Sequence, residues 1–173
     1  MSETQTEEQI VVAQRLPVVE LIVAKLKPLI INYDLTVEKM IAGLPDNDTN
    51  VTSEHFPDCR AGKTGIEEAQ LFLVKPVPSG KRLPTQDVEE ILDKDFVREE
   101  LPALAVLKEY CDQLRAQEIQ FITALGPNSR WANPDGGDVS VPCLGPHFVH
   151  RGFSLLLVEK DWFDYDWFVC RRK

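Results

Sequence analysis

Four short stretches towards the C-terminal end, residues 119–125, 138–144, 152–159 and 165–171, place apolar side chains at a spacing of two. That period predicts β-strands, because successive side chains of a strand point to opposite faces. Phe153, Leu155 and Leu157 fall on one face of the third stretch. Trp167 and Val169 fall on one face of the fourth, with Phe168 and Cys170 on the other. Gly126-Pro127-Asn128, Asn133-Pro134-Asp135-Gly136-Gly137 and Gly145-Pro146 separate the first three stretches. Short, turn-rich connections of this kind predict an antiparallel meander over residues 118–173.

Upstream the period lengthens. Val12, Leu16, Val19, Ile22, Val23 and Leu26 recur at helical spacing and predict a helix over residues 7–31, kinked or split by Pro17. Val37, Met40, Ile41 and Leu44 predict a short second helix, capped by Asp34 or Thr36, with Glu38 in its first turn and Gly43 and Pro45 as its stop. Residues 46–65 are polar and irregular and read as a long loop. Leu71-Phe72-Leu73-Val74 reads as a buried strand that ends at Pro76-Val77-Pro78, although Thr64 with Glu67 forms a competing capping box. Thr85 is placed to cap a helix carrying Val88, Ile91 and Leu92, and a further helix is predicted over residues 99–116, with Pro102 in its first turn. The sum is one α+β domain over residues 1–173, with a helical N-terminal part (1–45), a long loop (46–65) and an α+β core (66–173). In it, N-terminal helices precede an antiparallel sheet of four to five strands with helices packed on one face.

Several of these residues form a recognisable pattern: Ile122-Thr123-Ala124-Leu125-Gly126, Trp131, Gly136-Gly137, Val141-Pro142-Cys143-Leu144, Arg151, Leu155 to Leu157, and Trp167-Phe168 followed by Arg172-Lys173. The pattern resembles an uncharacterised family of small bacterial proteins. Tyr33-Asp34, Met40-Ile41 and Phe56-Pro57 fit it too, so the resemblance runs from about Tyr33 onward. The Arg-Pro helix start of that pattern is absent from residues 96–101. The shared positions are turn glycines, strand apolars and tryptophans, so the resemblance implies a fold and transfers no catalytic residue.

Charge narrows the partners. The net charge is -9 and the pI near 4.8, which argues against general nucleic-acid binding and against an anionic membrane surface, since both need a positive field. Asp87, Glu89, Glu90, Asp93, Asp95, Glu99 and Glu100 concentrate acidity in one region, read as a solvated helix face or as a docking surface for another protein with a basic surface. Residues 9–31 are apolar enough to raise a membrane span, but Arg15, Glu20, Lys25 and Lys27 interrupt them, and each central charge costs about 2.5–3.5 kcal/mol on insertion. Residues 1–9 are polar and acidic, unlike a secretory signal, and the four cysteines form no CxxC pair. The expectation is a cytoplasmic chain with reduced thiols.

Candidate chemistry is sparse. Cys143, His147, His150 and Cys170 are the residues that could hold a metal, and zinc is the ion a Cys2His2 set would take if all four converged. Their C-x3-H-x2-H spacing is not a closed-site signature, which favours two buried cysteines and two loop histidines. Cys59, with His147 or His150 as base, is the only thiol nucleophile pair worth weighing, and His55 with Cys59 is a weaker metal pair. Ala61-Gly62-Lys63-Thr64 matches the end of a phosphate-binding loop, but Pro57 stands where the first glycine belongs, so an ordinary turn is expected. Asp161, Asp164 and Asp166 read as a charged hairpin tip, and Trp131, Trp162 and Trp167 as core. No complete catalytic or cofactor-binding set is present. The leading expectation is a non-enzymatic binding or protein-interaction module. The others are a small metal-dependent or thiol enzyme using the Cys143/His147/His150/Cys170 region, and a structural subunit of a homo-oligomer.

Overall fold

The computed structural model describes residues 21–146 and 151–173. Its elements in chain order are β1 (Ile22–Lys25), β2 (Leu29–Asn32), α1 (Val37–Ile41), β3 (Ile66–Ala69), β4 (Phe72–Lys75), β5 (Arg82–Leu83), α2 (Thr85–Asp95) and β6 (Phe96–Arg98). There follow α3 (Leu101–Ala105), a 3-10 turn (Val106–Tyr110), α4 (Cys111–Ala116), β7 (Phe121–Thr123), β8 (Trp131–Ala132), β9 (Val139–Pro146), β10 (Arg151–Leu157), β11 (Trp162–Phe163) and β12 (Asp166–Arg172). The fold is α+β. Eight strands form one mixed sheet in the order β1-β4-β12-β7-β9-β10, with β6 also on β12 and β8 also on β9. Two small ladders, β2 with β3 and β5 with β11, stand outside it.

Alternation along the strands splits the core in two. Ala24, Leu73, Val169, Ile122, Leu144 and Phe153 face one cluster, covered by α1, α3, the 3-10 turn and α4. Val23, Phe72, Val74, Phe168, Cys170 and Val141 face the other, covered by Val88 and Leu92 of α2. Helices therefore pack on both faces, not one. The sheet is also larger than the four or five strands expected, and the expected meander holds for its first three strands (β7, β9, β10) but not for the last, β12. β8, β9 and β10 pair in sequence as antiparallel neighbours, and β7 also pairs antiparallel with β9. β12 inserts between β4 and β7 and runs parallel to β7. Short turns dictate pairing only between immediate neighbours. A strand apolar on both faces, as β12 is, belongs in the middle of a sheet.

The helical N-terminal part is a second correction. Residues 7–20 lie outside the described residues, while 21–31 form β1, a bend at Pro28 and β2. β1 is buried on both faces, so its apolar run mimics helical spacing, and the β-branched Ile22, Val23, Ile30 and Ile31 suit the pleat. The short helix α1 forms where expected, with Thr36 Oγ1 accepting from Lys39 N at 3.4 Å. The capping-box reading at Thr64 gives way to β3. The helix expected over 99–116 is broken into α3, the 3-10 turn and α4. Residues 46–65 contain neither helix nor strand, yet Val51, Phe56 and Cys59 anchor them in the core. Thr85 does not cap α2. It lies inside the first turn, where its hydroxyl accepts from Trp162 Nε1 at 2.7 Å and donates to the Val158 carbonyl. Among the described residues no helix is long and apolar enough to cross a membrane.

Candidate functional site

The residues singled out for chemistry are mostly dispersed or spent. Cys143 lies on β9 and Cys170 on β12, with β7 between them, since Cys143 pairs Thr123 and Thr123 pairs Phe168. That is two strand spacings across and two residues along, roughly 12 Å between Cα atoms. One zinc ion cannot bridge both sulfurs at such a distance. His147 and His150 lie outside the described residues. Among the described residues no group of three or more His, Cys, Asp or Glu side chains converges to hold a metal ion. All four thiols are free and buried. Burial pushes Cys59 up to about 11 and Cys143 up to about 12, and it raises Cys111 and Cys170 as well. A thiol in that condition is a poor nucleophile at neutral pH.

His55 turns away from Cys59 chemistry: its ring packs on Trp131 (centroids 4.4 Å apart), and its Nδ1–H donates to the Asn50 carbonyl at 2.6 Å. The Ala61-Gly62-Lys63-Thr64 segment is a turn, with Ala61 and Gly62 at φ 51° and 73°, followed by a strand and not by a helix. Asp164 Oδ2 accepts from Gly80 N and Asp166 Oδ2 from Phe163 N, both at 2.8 Å. Asp166 is fully buried, contrary to the hairpin-tip reading, and desolvation raises its pKa. Trp162 is core, Trp131 and Trp167 are half-buried.

The acidic region also divides. Asp87, Glu90, Asp93 and Asp95 are exposed, but Glu99 and Glu100 are buried. Glu100 accepts from Ser129 Oγ (2.7 Å) and from Asn128 N and Nδ2 (3.2 and 3.0 Å). Glu99 lies 2.5 Å from Arg171 Nε and, through it, joins a network with Glu67, Tyr33 and Lys63. Arg171 Nη2 donates to Tyr33 Oη and to Glu67 Oε2, both at 3.0 Å, and Lys63 Nζ reaches Glu67 at 3.1 Å. The Arg171 guanidinium first, then the Tyr33 and Lys63 donors, hold Glu67 down to about 2, while burial raises Glu99. Two acids and two bases neutralise one another and tie β2, β3, the 46–65 loop and β12 together. The network has the perturbed pKa values of an active site, but each charged group in it is engaged by another, as in a structural clamp.

What stands open is backbone. In the β9–β10 hairpin, Ala124 N donates to Pro142 O, so even-numbered residues of β9 face β7, and the odd ones face β10. Gly152, Ser154 and Leu156 therefore point their amides at β9, and Arg151, Phe153, Leu155 and Leu157 point theirs outward along the sheet edge. Residues 46–48 cover the first half of that edge. Asp46 N donates to Arg151 O (3.3 Å), Arg151 N to Asp46 Oδ2 (3.2 Å), Asp48 N to Phe153 O (2.7 Å) and Phe153 N to Asn47 Oδ1 (3.0 Å). Among the described residues none pairs with the outward groups of Leu155 and Leu157. The row Trp131–Ser140–Leu157 crosses β8, β9 and β10 on one face, with Leu157 at the open edge and Trp131 two strands in from it. Leu157 is 49% exposed there, and His55 packs on Trp131.

A second concavity, about 400 Å³, lies between β2 and the 3-10 turn, walled by Leu29, Ile30, Met40, Val106 and Tyr110. Its lysine, Lys108, is spent on the carbonyls of Met40 and Ala42 (2.7 and 2.9 Å). No family model, curated protein or solved structure matches the chain. Sequence reasoning passed over the open edge because strand order, which decides what lies at an edge, is not written in local periodicity. The one signal was the unbroken apolar run Leu155-Leu156-Leu157-Val158.

Proposed function

We propose that the protein is a non-enzymatic interaction module that binds another polypeptide along the open half of β10. The observation that carries this reading is the pair of outward-facing residues, Leu155 and Leu157, whose N–H and C=O groups lie without a partner among the described residues, with the Leu157 side chain exposed. An unpaired edge is a template for another strand, and natural folds blunt the edges they do not use. β1, at the opposite end of the strand order, is only four residues long, ends in Lys25 and is followed by Pro28. Among the described residues β10 is covered over its first half and open over its second, which is the arrangement of a site of limited length. Added strands gain main-chain hydrogen bonds, with specificity from alternate side chains. The buried, high-pKa thiols and the self-neutralised Arg171 network support the same reading against a thiol enzyme.

Panning a random peptide library against the immobilised protein tests the proposal, with amide hydrogen exchange as the readout. Selected peptides should slow exchange at Leu155 and Leu157. Peptides that bind while leaving those amides unprotected, for instance in the groove beside Ile30, would overturn it.

A further inference from the structure

The charges around the open edge narrow the partner, on the footing of the interaction reading above. Asp48 sits where the covering loop hands over to the open half, its N–H on Phe153 O. At the opposite end Glu159 follows the strand and its carboxylate accepts from Val139 N at 3.3 Å, next to the exposed Asp138. Asp135 is exposed in the turn that joins β8 to β9. The cations nearest in sequence are engaged elsewhere. Arg151 pairs with Asp112 at 3.2 Å, and Lys160 lies 4.3 Å from the ring centre of Trp162, on the α2 side of the sheet. The rim of the open edge is thus acidic at both ends and apolar in the middle.

From this we infer that the occupant is an extended peptide segment of another protein, with apolar residues at alternate positions and lysine or arginine on both flanks. Leu155 and Leu157 offer two N–H and two C=O groups, which about five residues of an added strand can satisfy. The apolar side chains on that face lie against Leu157, and the flanking cations meet Asp48 at one end and Asp138 with Glu159 at the other. A second copy of this chain is the poorer occupant. Antiparallel pairing of β10 with itself about Leu156 brings Asp48 of each copy against Glu159 of the other, and like charges across an interface suppress the wrong partner.

The test uses the full chain and a fluorescein-labelled probe with five alternating valines and threonines and two lysines at each end. A second probe carries glutamates in place of the lysines. Binding by anisotropy should favour the lysine probe by about tenfold at low salt, with the preference shrinking as salt rises. The lysine probe should slow exchange at Leu155 and Leu157. Leu157→Pro removes the outward-facing N–H, which an edge strand tolerates, together with the exposed leucine side chain, and should abolish binding with the circular dichroism spectrum unchanged. Asp138→Lys with Glu159→Lys should weaken the lysine probe and strengthen the glutamate probe. Equal binding of both probes with Leu155 and Leu157 protected would refute the basic partner and leave the interaction module standing. Protection of neither amide by any probe, in a chain whose fold is intact, would remove both. A concentration-dependent dimer that protects Leu155 and Leu157 without any peptide would replace the inferred partner with a second copy.

Discussion

Gly152 is the residue at which the covered half of the β10 edge can be attacked most cleanly. A Cβ built there lies 2.3 Å from the carbonyl oxygen of Asp46, 2.4 Å from its carbon and 3.0 Å from Asn47 N. All three are backbone atoms, so no rotamer change relieves the clash, and the 46–48 loop must retreat by roughly 1 Å to restore ordinary contact. Two responses are open to Gly152→Ala. The loop stays and strains, at the cost of about 1–3 kcal/mol for overpacking. Or it lets go of Arg151 and Phe153 and forfeits hydrogen bonds worth about 1 kcal/mol each, two of which are the short ones from Asp48 N and to Asn47 Oδ1. The cheaper path wins, so the expected loss is about 2–3 kcal/mol, or a fall in Tm of about 5–10 °C for a protein of this size. Urea unfolding and thermal melts measure it. Hydrogen exchange distinguishes the two responses, because only release of the loop deprotects Phe153. A Tm shift under about 1 °C with Phe153 still protected would show that the loop does not press on Gly152 as described.

Other consequences are equally direct. Thr85→Val strands both the Trp162 indole N–H and the Val158 carbonyl, so it should cost about 1–3 kcal/mol in denaturant unfolding and alter the near-ultraviolet circular dichroism of Trp162. Burial raises the Asp166 pKa, so its contribution to stability is fullest below the ordinary carboxyl value and falls as pH rises through the raised folded value. Asp166→Asn should therefore compare better with the parent at pH 7 than at pH 4, and the opposite ordering would contradict a desolvated carboxylate. The four thiols should be inert to a disulfide reagent in the native protein and all react in urea, while a fast native phase would identify a cysteine less buried than Cys59, Cys111, Cys143 and Cys170 are here.

The strands 139–146, 151–157 and 166–172 were legible because each is a short apolar stretch, and turn residues set off the first two. The two-faced character of Phe168 and Cys170 against Trp167 and Val169 was legible for the same reason. Residues 22–25 misled because a short strand buried on both faces satisfies helical spacing as well as its own. The acidity at Glu99 and Glu100 read as surface because their compensating partners, Arg171 and Ser129, lie far away in sequence. The open edge was illegible in principle: Leu155 and Leu157 look like core residues until the neighbours of β10 are known, and non-local pairing alone supplies those neighbours.

The position of β12 bears on how the molecule assembles. It is the strand that β4, β6 and β7 share, and its partners begin at Phe72, Phe96 and Phe121. Until it arrives, β4 has only β1 beside it, and β7 has only β9. Closing those long loops carries its entropic cost before any pairing rewards it, so folding should run on the millisecond-to-second scale typical of non-local sheets. During that interval the two halves wait with unpaired inner edges, and the rate at which β12 docks decides how long they are open to chaperones or to each other's copies.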